Sequence, residues 1–372
     1  MKILIDMTHI SMSKIHASTS VYVFRILDTM LNSQNDNTYV LLIHTEIENY
    51  IKETYPKFEY ITFPYTSDHL ISRKKGLSKF IFQTIQYQKH INKSQCDGLL
   101  IANDLHLYTC ISKCRKKITV IHDLKALKDR TRLEKKFYYI YYALSLLTSS
   151  KIIAISEFTK QDILRNYSKL FKNKIKVIYN SIQLSDKITR PSLLPPNTNY
   201  ILYVNTLQEY KNIKTLLKAL SLIENLNHQL VVVGKSTPYW MNQMIPYIEE
   251  KNLTDKIIHI EHVTEEELHF LYKHASLFVS CSLREGFGYT PIEAAICKCP
   301  VICSTCESLP ETTLNKLEYY SPPYNAQELS RKITEVLSSP PTLSSRTKIS
   351  NLFKEKYSPI TQCQKICNLF NQ

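Results

Sequence analysis

The stretch from Ser280 to Ala295 reads Ser-Cys-Ser-Leu-Arg-Glu-Gly-Phe-Gly-Tyr-Thr-Pro-Ile-Glu-Ala-Ala, and it predicts a tight turn that leads into a helix. Gly286 and Gly288 are two of only five glycines in the chain. A chain this poor in glycine is expected to keep them where a backbone approaches closely or takes a positive φ.

The residues after the two glycines have the order of a helix start. Thr290 is expected to be the N-cap, Pro291 the first helical residue and Glu293 the third. A helix N-terminus carries partial positive charge and N–H groups without helical partners, which suits a phosphate. An alternative for Glu293 is a capping residue with no other role, and for Glu285 a solvated loop carboxylate.

Strand and helix patterns alternate along both halves of the chain, which predicts two α/β domains with parallel sheets. The best linker candidate is the polar, proline-bearing stretch 189–197. We therefore expect a first domain over 1–190, a second over 191–355 and a C-terminal helix over 356–372. The strands are expected at 2–6, 39–43, 60–63, 98–101, 118–121, 151–155 and 175–179, then at 200–204, 230–233, 257–260, 277–280 and 301–303.

The net charge of +14 lies entirely in the first half of the chain. Residues 1–190 contain 30 Lys and Arg against 16 Asp and Glu, whereas residues 191–372 contain 17 of each. One interpretation is a solvated, solubilising surface; the sharper one is docking on an anionic membrane. No recognition module accompanies the charge, so we expect no nucleic-acid partner.

Ten cysteines without a secretory signal favour a reduced, cytoplasmic setting, with peripheral binding to the inner face of the membrane under the sharper interpretation of the charge. The spacing of Cys297, Cys299, Cys303 and Cys306 fits no paired zinc pattern, and no Asp-x-Asp occurs, so we expect no metal. Gly234-Lys235-Ser236 looks like the end of a P-loop. Gln229 stands where the first P-loop glycine is required, which argues against ATP hydrolysis.

The chain resembles the group 1 family of retaining nucleotide-sugar glycosyltransferases. The resemblance rests on Glu285 and Glu293 separated by seven residues, on Gly-Phe-Gly after the first glutamate, and on Pro300-Val301-Ile302 and Leu309-Pro310-Glu311 downstream. It implies a GT-B fold, in which two Rossmann-like domains face a central cleft and the C-terminal helix crosses back to the first domain. It implies a nucleoside-diphosphate sugar as the donor substrate, and it implies neither a cofactor nor a metal.

The resemblance also implies roles for individual residues. Glu293 is expected to bind the donor ribose, Glu285 the transferred sugar, Lys211 the diphosphate, and His122 in Val120-Ile121-His122-Asp123 the reacting sugar. His122, Glu285 and Lys211 form the implied catalytic set. The implied donor-binding residues are Asn205, Thr206, Lys211, Glu285, Gly286, Phe287, Gly288, Tyr289, Thr290 and Glu293.

The sequence departs from the family pattern in two loops. Asn205 replaces the usual strand-end glycine, and the loop before Lys211 lacks the arginine often found there. The first loop, 13–20, contains no glycine. These departures keep open an alternative, a non-catalytic sugar- or membrane-binding scaffold of the same fold; a nucleotide-sugar epimerase is a third possibility.

The expected function is transfer of a sugar, with mannose as the weakly indicated candidate, to a saccharide or lipid-linked saccharide hydroxyl. By family association the setting is synthesis of cell-surface polysaccharide or lipopolysaccharide.

Overall fold

The computed structural model describes residues 1–15, 17–32, 37–64, 76–102, 107–185 and 187–372. The chain forms two compact units, one made of Met1–Ser181 with Pro359–Gln372 and the other of Ile182–Ser358. Both are parallel α/β units of the Rossmann type, as the alternating pattern predicted.

The units divide after Ser181 and after Ser358, whereas the sequence analysis placed these boundaries after residues 190 and 355. The backbone bonds explain the earlier start of the second unit. The Ile182 N–H donates to the carbonyl of Tyr357 at 2.9 Å, and the Thr189 N–H donates to the carbonyl of Glu266 at 3.2 Å. The polar stretch after Ser181 is therefore tied to the second unit before its prolines are reached.

The first unit contains a seven-stranded parallel sheet in the order β3-β2-β1-β4-β5-β6-β7. All seven strands predicted from the sequence are present. Their bounds are β1 Lys2–Met7, β2 Thr38–His44, β3 Glu59–Phe63, β4 Gly98–Ile101, β5 Lys116–Ile121, β6 Lys151–Ala154 and β7 Ile175–Val177.

Two helices of the first unit begin at side-chain caps that their sequences supply. Thr131 and Glu134 form a reciprocal capping box at the start of the sixth helix, and the Ser156 hydroxyl accepts the Thr159 N–H at the start of the seventh. The helices are α1 Ser18–Asn32, α2 Glu48–Thr54, α3 Gly76–Ser94, α4 Leu107–Ile111, α5 Lys125–Asp129, α6 Arg132–Thr148 and α7 Glu157–Asn166, with α15 Pro359–Asn371 from the end of the chain.

The second unit contains a six-stranded parallel sheet in the order β10-β9-β8-β11-β12-β13. Its strands are β8 Tyr200–Val204, β9 Gln229–Val233, β10 Ile257–Ile260, β11 Leu277–Ser280, β12 Val301–Ser304 and β13 Glu318–Tyr320. Its helices are α8 Ile213–Ser221, α9 Ile245–Glu250, α10 Glu265–His274, α11 Tyr289–Ile296, α12 Leu309–Thr312, α13 Ala326–Ser338 and α14 Leu343–Lys356.

Each unit has its own apolar core. Strands β8, β9 and β11 supply the centre of the core in the second unit, which also encloses Trp240, the single tryptophan of the chain. Among the described residues, no helix combines the length and the apolarity needed to cross a bilayer.

The C-terminal helix α15 is part of the first unit's packing. Ile366 and Phe370 are buried, and the Tyr39 hydroxyl lies 3.3 Å from the Cys367 sulfur. The Lys116 ammonium donates to the carbonyl of Phe370. Helix α15 packs against α1, so the last turns of the chain complete a core built mainly by the first half of the sequence.

We expect Ile366→Ala to lower the unfolding free energy of the first unit by about 2–5 kcal/mol, because it removes a fully buried side chain and leaves a cavity. Ile360→Ala in the same helix is the matched control, because Ile360 is exposed. Urea unfolding followed by circular dichroism measures the loss. Trp240 fluorescence should remain unchanged, since that side chain reports on the second unit. An equal effect of both substitutions would contradict the assignment of α15 to the first unit.

Candidate active site

The candidate site lies at the topological switch point of the second unit. Strands β8 and β11 are neighbours in the sheet, while the chain runs from β8 outward to β9 and from β11 outward to β12 in the opposite direction. Loops that leave two such strands diverge, and ligands of open α/β sheets bind in the resulting crevice at the carboxyl ends. The loops after β8 and β11 contain Lys211 and Glu285.

Lys211 and Glu285 form an ion pair that joins these two loops. The distance from Lys211 Nζ to Glu285 Oε1 is 2.6 Å, and the two side chains are only 9% and 13% exposed. Lys211 closes a short 3-10 turn, and the left-handed Asn212 (φ 57°) follows it. The ammonium also lies 5.1 Å from the centre of the Tyr210 ring. Lys211 is therefore not an ordinary surface lysine, because its cation is enclosed and paired.

Hydrogen bonds join the loops that follow β8, β11 and β12. The Leu283 N–H donates to the carbonyl of Tyr210 at 2.9 Å. The Glu285 N–H donates to a carboxylate oxygen of Glu307 at 2.9 Å, and the Ser308 hydroxyl donates to the carbonyl of Glu285 at 2.6 Å. Glu307 was not predicted from the sequence, because no short-range pattern indicates that its side chain returns to a loop 22 residues earlier. Its positive φ of 47° is a property of the folded backbone, which the sequence does not show.

The helix after the two glycines starts two residues earlier than predicted. Helix α11 begins at Tyr289 with Gly288 as its N-cap, and no side chain caps it, so the assignment of Thr290 as N-cap was wrong. Gly288 has φ +83°, and a Cβ placed on it would lie 2.6 Å from Leu309 Cδ2. Both the conformation and the space thus require glycine. Gly286 does not share this conformation, because among the described glycines only Gly288 and Gly234 have a positive φ.

The remaining residues of this turn divide into packing and helix-end positions. The Phe287 side chain is buried, with ring centres 5.1 Å from Tyr289 and 5.3 Å from Tyr357. Its side chain therefore anchors the turn in the core, and only its backbone is left to serve a ligand. Tyr289 and Thr290 occupy the first two helical positions, where backbone N–H groups lack partners within a helix.

Glu293 is the fifth residue of α11, not the third, and it belongs to no capping box. The Tyr272 hydroxyl donates to a carboxylate oxygen of Glu293 at 3.1 Å, and both residues are buried. Burial raises the pKa of Tyr272 well above its usual range, and the charge of Glu293 adds to this shift, so the phenol remains a donor. Tyr272 is a residue that sequence reasoning missed; it comes from α10.

The loop after β8 is packed closely against the loop after β9. The Asn205 side chain donates to the Ser282 hydroxyl at 3.2 Å, and its carbonyl oxygen accepts the Thr206 N–H at 3.1 Å. A Cβ on Gly234 would lie 2.0 Å from the Asn205 backbone oxygen. Asn205, which replaces the usual glycine, does not have a positive φ; the left-handed residue that follows this loop's 3-10 turn is Asn212.

His122 directly follows β5 in the first unit. Its Nε2 lies 2.9 Å from the carbonyl of Ala102, and its ring meets the edge of Tyr22 at 4.9 Å. A carbonyl only accepts, so Nε2 carries the proton and Nδ1 has the lone pair. Burial lowers the pKa of His122 below its ordinary value, which favours the neutral ring. Asp123 accepts the Lys125 N–H at 2.9 Å and so orients the loop that follows β5.

The glycine-free first loop is closed by hydroxyl groups. The Ser20 hydroxyl donates to the carbonyl of Lys14 at 2.8 Å, and Ser11 and Ser13 share a 3.0 Å bond. His16, in the middle of this loop, lies outside the described residues.

All ten cysteines are free thiols. Within the described ranges, no three His, Cys, Asp or Glu side chains come together in a way that could hold a metal ion.

Comparison with known proteins gives one family and several relatives. Residues 185–354 match the family described as "Glycosyl transferases group 1". The chain is 30% identical over 211 residues to the O-antigen chain mannosyltransferase RfbU of Salmonella typhimurium, covering 56% of this chain and 57% of that protein. It is 29% identical over 217 residues to the O-antigen chain mannosyltransferase B of Escherichia coli, covering 54% and 55%. The chain thus spans about half the length of these curated relatives.

Solved structures share the fold over the whole chain. The sucrose-phosphate synthase of Thermosynechococcus elongatus aligns with a TM-score of 0.76 at 18% identity, covering 100% of this chain and 98% of that one. Anabaena HepE, solved in complex with UDP and glucose, aligns with a TM-score of 0.77 at 15% identity, covering 100% and 99%.

Breaking the Lys211–Glu285 pair should destabilise the second unit. We expect Lys211→Met to lower its unfolding free energy by about 3–5 kcal/mol, because the substitution leaves the Glu285 carboxylate buried without a cation. The double variant with Glu285→Gln should recover much of this loss. Trp240 fluorescence in urea measures the wild type, the single variants Lys211→Met and Glu285→Gln, and the double variant. The exposed Arg331–Glu335 pair, 3.0 Å apart, is the control and should show little coupling. Strictly additive losses at Lys211 and Glu285 would contradict the pairing.

Proposed function

We propose that this chain is a glycosyltransferase, because residues 185–354 match the family described as "Glycosyl transferases group 1". In this proposal it moves a sugar from a nucleoside-diphosphate sugar to a hydroxyl of a saccharide or lipid-linked saccharide, with retention at the anomeric carbon. The observation that carries the proposal is the enclosed Lys211–Glu285 pair, with Glu285 on the loop that leads into the N-terminus of α11.

Lys211 and the start of α11 are proposed to bind the donor diphosphate. A nucleoside diphosphate gains negative charge as the bond to the sugar breaks, so a fixed cation and helix N–H groups stabilise the transition state more than the ground state. A lysine ammonium has three N–H donors, and the contact with Glu285 occupies one of them. The cation can therefore bind phosphate oxygens while it stays anchored.

The two glutamates are proposed to bind the two sugars of the donor. Glu285 is positioned by its own backbone, through Glu307 and Ser308, and its second carboxylate oxygen is proposed to accept hydroxyls of the transferred sugar. Glu293 is proposed to accept the ribose hydroxyls, with the Tyr272 hydroxyl fixing the carboxylate. Ion pairing and hydrogen bonding thus orient both carboxylates before the nucleotide sugar binds.

The proposed reaction breaks the bond between the anomeric carbon and the donor phosphate oxygen and forms a bond from the acceptor oxygen to the same carbon. The acceptor proton passes to a phosphate oxygen of the departing diphosphate, so the products are the glycosylated acceptor and a nucleoside diphosphate. No cofactor or metal is assigned a role. The names of the matched O-antigen chain mannosyltransferases support mannose as the sugar and cell-surface polysaccharide synthesis as the setting.

The proposal is tested by donor binding and by transfer. A thermal-shift screen with uridine, guanosine and adenosine diphosphates should identify one that stabilises the protein, and its mannose and glucose derivatives then serve as donors. We expect Lys211→Met to reduce kcat by about 100- to 1000-fold, the usual loss when one charge-stabilising donor is removed.

Lys218→Met is the matched control, because Lys218 is exposed on α8, the helix that follows the Lys211 turn. Chelation with EDTA tests the expected metal independence in the same assay. Wild-type turnover by a folded Lys211→Met protein would refute the phosphate role. Donor binding with neither transfer nor hydrolysis would favour the scaffold alternative.

The state of His122 predicts how the rate depends on pH. In the proposal the neutral ring accepts a sugar hydroxyl at Nδ1, and protonation abolishes this. Because burial lowers its pKa, kcat/KM should remain constant as the pH falls to about 6.5, the ordinary histidine value, and should decrease only below it. His122→Asn should remove that acid limb and His274→Asn, on the exposed end of α10, should not. An acid limb that begins above the ordinary value would contradict the role.

A further inference from the structure

Helix α6 of the first unit exposes an apolar stripe. Leu133, Ile140 and Leu147 follow one another at intervals of seven residues, so they lie on the same face of the helix. These side chains are 76%, 58% and 64% exposed. Arg132 and Lys136 are also exposed and flank the first of them.

A second exposed apolar group lies on helix α3. Ile81, Phe82 and Ile85 are all about half exposed or more. Lys89 and Lys93, one and two turns further along the helix, are exposed as well. Together α3 and α6 contain seven exposed large apolar side chains. We call the outer surface of α3, α6 and the helix α4 between them the α3–α6 face. Its apolar members are Ile81, Phe82, Ile85, Leu133, Tyr139, Ile140 and Leu147.

The two helices lie in one layer of the first unit. The connections from β3 to β4, from β4 to β5 and from β5 to β6 all run in the same direction across the sheet. Right-handed crossovers therefore place α3, α4 and α6 on the same side. Helix α4 packs against both α3 and α6. Helix α15 packs against α1, which lies on the opposite side because β1 connects to β2 in the other direction.

The face is basic and almost free of acids. The three helices contain six Lys and Arg and one acidic residue, Glu134. Glu134 is engaged in the capping box with Thr131 and lies 3.8 Å from Arg130. Leucine, isoleucine and phenylalanine surrounded by lysine and arginine are the composition of helices that lie in the headgroup region of a bilayer. The cores of protein–protein interfaces, in contrast, are depleted of lysine.

We propose that the α3–α6 face docks on an anionic lipid bilayer, with its apolar side chains inserted at the headgroup boundary and its cations against the lipid phosphates. The sequence alone indicated only a charge excess in the first half of the chain. The structure adds an apolar component on a defined face, so binding combines apolar burial with electrostatic attraction. This inference does not depend on the proposed transfer reaction.

The test is sedimentation of the full chain with phosphatidylcholine vesicles, with and without about one third phosphatidylglycerol. The wild type should bind the anionic vesicles and be released by salt. The triple variant Leu133→Ser, Ile140→Ser and Leu147→Ser should bind at least about tenfold more weakly, because three apolar anchors are lost while every charge is retained. Ile360→Ser is the matched control, since Ile360 is 62% exposed on the opposite side of the same unit and should not affect binding.

Three results would overturn the proposal: unchanged binding of the triple variant, equal binding of the wild type to neutral vesicles, or equal losses in the triple variant and in Ile360→Ser. A wild-type dimer in light scattering that the triple variant loses would assign the face to a second copy instead. Circular dichroism and the nucleoside-diphosphate thermal shift establish that the triple variant is folded and retains its second unit. A failure of lipid docking is thereby separated from a failure of the glycosyltransferase proposal.

Discussion

The organisation of the second unit depends on one enclosed ion pair at the point where its sheet changes direction. Lys211 and Glu285 come from loops that leave neighbouring strands toward opposite edges of the sheet, and without a link these loops would diverge. A buried ion pair is costly to desolvate, so it contributes little net stability, but removing either partner is expensive. The pair therefore holds the two loops in one arrangement and keeps both charges at the place where the proposed chemistry needs them.

Scarcity of glycine is the second constraint on this chain. Left-handed backbone positions that glycine often occupies are filled here largely by asparagine, at residues 197, 212, 225, 252 and 315. Asparagine tolerates this region better than most residues, because its short side chain can bond locally. Glycine is retained where a Cβ would collide, as at Gly234 against the Asn205 carbonyl and Gly288 against Leu309.

The prediction of elements succeeded where the hydrophobic pattern was long and failed where it was short or polar. All twelve predicted strands are present, because buried parallel strands read as apolar runs between turns. The short helix α2 and the largely polar α14 were not predicted; both form through tertiary contacts, and α14 packs against α11. The predicted start of α11 was two residues too late, because Thr-Pro-x-Glu matched a capping pattern while Gly288 took the N-cap position.

The sequence by itself determined the fold class, the two parallel sheets, the loops that contain Lys211 and Glu285 and the helix that contains Glu293, because periodicity and turn residues are local properties of the chain. Tertiary structure alone decided that Lys211 pairs with Glu285, that Glu307 and Tyr272 hold the two glutamates, and that the exposed apolar side chains of α3 and α6 share one side of a sheet. Each of these depends on contacts between residues far apart in the chain. Such contacts follow from strand order and crossover direction, which no short stretch of sequence specifies.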